Sequence, residues 1–168
     1  MDDSTIRQST LGQYRAGLDM LEHAIDLCPE NIWFSTEYRN RFWHVAYHSL
    51  FYTHLYVQPS EGDFQAWSKH VPNSNYLGPR PRAKNEPFQI PEPYAKPDVQ
   101  DYLKLCRSEV EKQVALIRFE DGSGFSWLPF TKLELQFYNI RHLQHHTGQL
   151  IDRLRTAANI GVGWVRSR

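Results

Sequence analysis

Cysteine is scarce in this chain. Only Cys28 and Cys106 occur among 168 residues, far apart and in no metal-like spacing. That rules out a disulfide scaffold or a thiolate zinc module, makes both residues small buried side chains, and sets the reducing cytoplasm as the expected compartment. An excess of one charge is also missing. Lys plus Arg and Asp plus Glu number 19 each, so no basic surplus remains to neutralise a phosphate backbone, and no nucleic-acid partner is expected. No apolar run approaches the roughly 18 residues a membrane helix needs. The opening MDDSTIRQST has no basic stretch ahead of an apolar one, so neither a secretory signal nor a membrane partner is expected.

Apolar and aromatic residues are plentiful, at 40% and 14% of the chain, beside 23% charged residues. One domain over 1–168 with its own core is therefore expected. Leu11, Tyr14, Leu18, Leu21, Ala24 or Ile25, and Cys28 recur at helical steps, which predicts a first helix over 5–28, capped by Ser4 or Ser9 and stopped by Pro29. Residues 37–57 are apolar on most sides, the pattern of a helix in the middle of a bundle. Eight of the ten prolines then fall between Gln58 and Asp98, where regular structure cannot run far. This stretch reads as a long crossover held down by Trp67, Tyr76, Phe88 and Tyr94. Asp98 is the expected cap of a third helix through Val99, Tyr102, Leu103, Cys106, Val110, Val114 and Ile117, closed by EDGSG at 120–124. A last helix is predicted over 131–158. The fold class expected is all-α: a four-helix bundle with short turns inside the first and last helix pairs and a Pro-rich crossover between helices 2 and 3.

The histidines carry the functional signal. His44, His48 and His54 lie in RFWHVAYHSLFYTHLY, and His142, His145 and His146 in NIRHLQHHTGQLIDRL. Residues four apart on a helix share a face. Projection at 100° per residue puts His142 and His146 beside the stripe of Leu143, Leu150 and Leu154, with His145 pointing outward. On the aromatic helix His48 faces inward, His44 sits one turn up, and His54 is rotated far round. An inward imidazole must be hydrogen-bonded or bound to something. One explanation is a set of core histidines satisfied by Asn139, Tyr47, Tyr52 and backbone groups. The other is a divalent transition metal held by His48, His142 and His146 with one position left open. Other chemistries fail on their own motifs. Position 143 is Leu, so the zinc-protease glutamate is missing, no Glu-x-x-His occurs, and neither a phosphate loop nor a nucleophile with its base can be assigned.

Through these residues the chain resembles the DinB-like superfamily of metal-binding four-helix bundles. The likeness spans nearly the whole length. It is most specific at FWHVAYHSLFYTHLY (42–56), YNIRHLQHHTGQLIDRLR (138–155) and GVGWV (161–165). It implies nickel or zinc bound by His48, His142 and His146, and a homodimer. His44 competes with His48 for the helix-2 role, and His54 stands where relatives often carry Asp. Tyr47, Tyr52, Asn139 and Arg141 are the candidate neighbours of metal or substrate, and the crossover, through Trp67 and Tyr76, would complete the pocket. Some members are similar to transferases that use bacillithiol or act on mycothiol adducts. Two readings follow: a metal-dependent transferase or hydrolase acting on a small molecule with a low-molecular-weight thiol, or a non-catalytic, stress-related dimer that binds the metal for stability or sensing.

Overall fold

The helical periodicities resolve into five α-helices. A computed structural model describes residues 2–79 and 89–166. α1 runs Asp3–Leu27, α2 Glu30–Trp33, α3 Phe42–Val57, α4 Lys96–Leu116 and α5 Lys132–Ala158, and a 3₁₀ turn at Glu61–Asp63 follows α3. The protein is all-helical: among the described residues there is no strand, only an isolated bridge between Gly122 and Thr131. No described helix is long and apolar enough to cross a membrane.

The helix ends follow capping chemistry, with two departures from the expected caps. Asp2, not Ser4 or Ser9, caps α1, its carboxylate accepting from the Ser4 N–H at 3.2 Å. A carboxylate there also answers the positive end of the helix dipole. Asp98 is not the cap of α4. That helix opens at Lys96 after Ala95, because Pro97 is tolerated in a first turn where its missing N–H is no loss. The Asp98 carboxylate is left to accept from Lys69 at 2.5 Å. Thr131 caps α5 by accepting from the Glu134 N–H at 3.2 Å, and the helix stops at Asn159, which takes the left-handed conformation with φ 56°.

α1 packs against α4 and α5, and α3 packs against the same two, so the order around the core is α1–α4–α3–α5. At Gly17 a side chain would meet Leu143 Cδ2 at 2.9 Å, which shows how closely α1 approaches α5 beside His142. The connections inside the helix pairs are not short turns. Residues 28–41 include α2, and α3 starts at Phe42 rather than 37, because Trp33 is buried against Phe42 and gives its indole N–H to Tyr94 O at 2.9 Å. Between α3 and α4, Trp67 stacks on Tyr102 at 4.9 Å and Tyr94 on Tyr47 at 4.5 Å. Tyr76 is half-buried, and Phe88 lies outside the described residues.

Gly124 ties the loop before α5 to the end of α3. Its φ is +83°, and an added Cβ would lie 2.2 Å from Pro59 O. Left-handed backbone and a blocked Cβ both require glycine there. Gly124→Ala is expected to cost about 2 to 4 kcal/mol of stability, from strain plus displaced backbone, measured by urea unfolding. An unchanged midpoint would refute this account of the loop.

α3 is buried around nearly its whole circumference. Between Phe42 and Val57 the only residues not fully buried are His48 and Tyr52. One turn separates them, so the innermost helix reaches solvent along a single short line.

Candidate metal centre

That line is where α5 brings its paired histidines. The stripe of Leu143, Leu150 and Leu154 is fully buried and sets the rotation of α5. His142 and His146, one turn apart, are thereby placed at the edge of the core. The ligand atoms of His48, His142 and His146 all lie within 4.8 Å of one another, and the Nε2 atoms of His48 and His142 are 3.1 Å apart. Two ligands about 2.0 to 2.1 Å from a tetrahedral ion are about 3.3 Å apart. The His48–His142 edge already matches that spacing, and an edge of 4.8 Å must close by roughly 1.5 Å to meet one cation.

Two of the three rings are set from behind. His48 Nδ1 donates to Asn75 O at 2.7 Å, and His146 Nδ1 donates to Gln149 Oε1 at 2.9 Å. Each contact places the proton on Nδ1 and leaves the Nε2 lone pair for a ligand, the arrangement common around metal-bound histidines. His142 differs, since its Nδ1 is buried without a hydrogen-bond partner. Its Nε2 is the atom turned toward His48, and that contact places the ring in the cluster.

All three imidazoles are held neutral. Burial pushes His48 well below its ordinary value, with His146 and His142 adding to the effect. Burial, then His146 and His145, lowers His142 to about 3. Burial also lowers His146, opposed by its hydrogen bond to Gln149. Neutral rings offer lone pairs without first releasing a proton, which favours cation binding near pH 7. A hard oxygen-seeking cation such as magnesium is a poor match for three imidazoles, whereas zinc and nickel suit them.

The remaining candidates separate cleanly. Tyr52 stands over the site, its ring centroid 4.8 Å from His48 and 5.4 Å from His142, and its hydroxyl accepts from Asn75 Nδ2 at 3.4 Å. His44 lies outside the cluster, bonded through Nε2 to Ser74 O at 3.0 Å and stacked on Trp43. His54 is buried rather than turned away from the core. It faces α4, with Nδ1 3.2 Å from the Tyr102 hydroxyl. Asn139 is buried one turn before His142 and donates to Thr53 O at 3.1 Å, a link between α5 and α3. Arg141 is exposed. His145 is also exposed and accepts from Gln149 Nε2 at 3.1 Å. Tyr47 bonds His70 Nδ1 at 2.6 Å, and Trp67 packs with it on the α4 side.

Asn75 and Gln149 are the participants that residue patterns did not reveal. Gln149 had a signal, standing one turn beyond His146 on the same helix. Asn75 had none, because it acts through a backbone carbonyl delivered by a distant loop. Gln149→Leu removes the acceptor of His146 Nδ1 and is expected to weaken metal binding about ten- to a hundredfold. Competition against a coloured chelator measures this, and unaltered affinity would show that Gln149 does not orient the ring.

No protein-family model, no curated protein and no solved structure matches this chain. What can be said of the site therefore rests on its own geometry.

Proposed function

We propose that this chain is a mononuclear metal-dependent enzyme of the DinB-like bundle type. It binds nickel or zinc through His48, His142 and His146, and acts as a transferase or hydrolase on a small molecule with a low-molecular-weight thiol. The observation that carries the reading is the meeting of three neutral imidazoles, within 4.8 Å, on the one line where α3 reaches solvent. The packing order α1–α4–α3–α5 and the long stretch between α3 and α4 suit a four-helix bundle.

A divalent ion held there supplies Lewis acidity, which makes a bound thiol or water a better nucleophile near neutral pH. The chain's own residues do the rest. Asn75 O and Gln149 hold the tautomers of His48 and His146. The Tyr52 ring closes one side of the site, and burial raises its phenol pKa, so it offers a protonated hydroxyl to substrate at neutral pH. Three neutral ligands leave the full dipositive charge available to an anionic substrate group.

One observation favours a second reading, a non-catalytic metal-stabilised protein acting as a homodimer. Among the described residues no carboxylate joins the three imidazoles of the cluster. Elemental analysis of protein purified without a histidine tag tests metal binding, with one divalent ion per chain expected. Cobalt substitution then separates the two readings. A thiol that enters the coordination sphere gives a sulfur-to-cobalt absorption band, as the enzyme reading requires. Stoichiometric metal with a spectrum indifferent to thiols and to small anions would favour the second reading, and absence of metal would overturn both.

A further inference from the structure

A separate cavity opens on the opposite side of α3, between that helix, the segment after it and α4. Its volume is about 560 Å³, and His54, Gln58, Trp67, Leu105, Glu109 and Gln113 are prominent in its wall. That is the size of an ordinary small-molecule site. None of the three clustered histidines lines it.

The polar groups there are organised around Glu109. Gln58 and Gln113, both buried, each donate a side-chain N–H to Glu109 Oε2, at 3.2 and 3.1 Å. Gln58 uses the same amide nitrogen on His54 O at 3.2 Å. Burial opposes the charge of Glu109, yet the hydrogen bonds from Gln113 and Gln58 hold its carboxyl below the ordinary value, so it is ionised at neutral pH. Gln58 thereby commits both hydrogens of its amide and keeps its oxygen for a ligand, while Gln113 keeps its oxygen and one N–H. His54 is 4% exposed. Its Nδ1 is engaged with Tyr102, and burial keeps it neutral, so Nε2 is the atom it can offer. Asp63 adds a second carboxylate to the wall, against the single ammonium of Lys112. Lys112 touches Glu109 only through Oε1 at 3.4 Å and remains largely exposed. The wall is therefore rich in acceptors and carries net negative charge, beside the apolar surfaces of Trp67 and Leu105.

We propose that this cavity binds a small organic cation, a protonated amine on an apolar body, with Glu109 as counter-ion and Trp67 and Leu105 against the apolar part. A carboxylate held in place by two buried amides is already oriented for an ammonium, so little ordering cost remains on binding. The site is independent of the metal centre.

The test uses the full-length protein with benzylammonium as probe and benzyl alcohol as its neutral counterpart, followed by calorimetry and by the Trp67 indole signal in nitrogen–proton spectra. Saturable benzylammonium binding that shifts Trp67 is expected, with the alcohol about ten- to a hundredfold weaker, the worth of one charge-assisted hydrogen bond. Glu109→Gln keeps the side chain's shape and should weaken the amine by the same factor. His48→Ala should leave amine binding intact, which separates failure of this site from failure of the metal reading. The comparison of amine with alcohol needs no variant, so it stands even if Glu109→Gln does not fold. Equal binding of the two probes, a Trp67 signal that does not move, or undiminished binding to Glu109→Gln would overturn the proposal.

Discussion

Alanine at position 48, 142 or 146 is expected to abolish stoichiometric metal, whereas His44→Ala retains it. Each of the three supplies one of the mutually close ligand atoms, and removing one leaves two imidazoles and an ion open to solvent. Loss of a direct ligand should exceed the ten- to hundredfold effect of an outer partner. His44 stands a turn from His48, but its Nε2 faces Ser74 O and its ring lies against Trp43. His44→Ala should therefore cost stability, about 2 to 4 kcal/mol for a fully buried ring, while metal content stays the same. His44→Asn, run in parallel, covers the case in which the alanine variant unfolds. The second readout is thermal: a ligand at a hundred times its dissociation constant stabilises a protein by about 2.7 kcal/mol, and that gain should vanish in the three ligand variants. Metal retained by His146→Ala, or lost from His44→Asn, would remove the assignment.

The second large effect is a steep loss of stability in acid. His44 and His54 are each lowered to about 4 and His142 to about 3, mainly by burial, while His48 and His146 are shifted the same way. The unfolded chain binds protons at these residues near pH 6.5, whereas the folded chain resists them. Stability is thus fully present above about pH 6.5 and drains away as pH falls toward the folded values. At pH 5 the penalty is about 2 kcal/mol for each of His44 and His54. With five such residues against a total stability of about 5 to 15 kcal/mol, cooperative unfolding is expected before pH 4. Saturating zinc or nickel should move the transition to lower pH, because a bound cation occupies nitrogens that protons must otherwise take. Urea midpoints at stepped pH, with and without metal, measure both effects. A midpoint constant from pH 7 to pH 4.5 would mean that these rings are not buried as neutral groups.

How much of this could be read from residues alone varies with the element. The stripe of Leu143, Leu150 and Leu154 gave the rotation of α5, and with it the inward positions of His142 and His146. A helix with one apolar side has only one way to turn. α3 offered a weaker guide, being buried almost all round: projection put His48 inward with His44 as its competitor, but turned His54 away from a core that surrounds it. The caps show a similar split. The last helix starts where its predicted span over 131–158 begins, at the Thr131 cap, while Ser4, Ser9 and Asp98 lost to Asp2 and Ala95 over a shift of a few residues that local preference does not resolve. Trp33 was not legible as an anchor, because its partner Tyr94 lies far along the chain.

The sequence by itself determined an all-helical chain and the paired imidazoles on one face of the last helix, since each follows from spacing and residue type over a few turns. Tertiary structure decided which α3 histidine joins the pair, which carbonyl and amide lie against the ring nitrogens, and that His54 lines a different cavity. Those outcomes depend on how α3 is rotated between α4 and α5 and on where residues 70–75 come to rest. Both are fixed by packing across long separations, of which no local pattern carries a record.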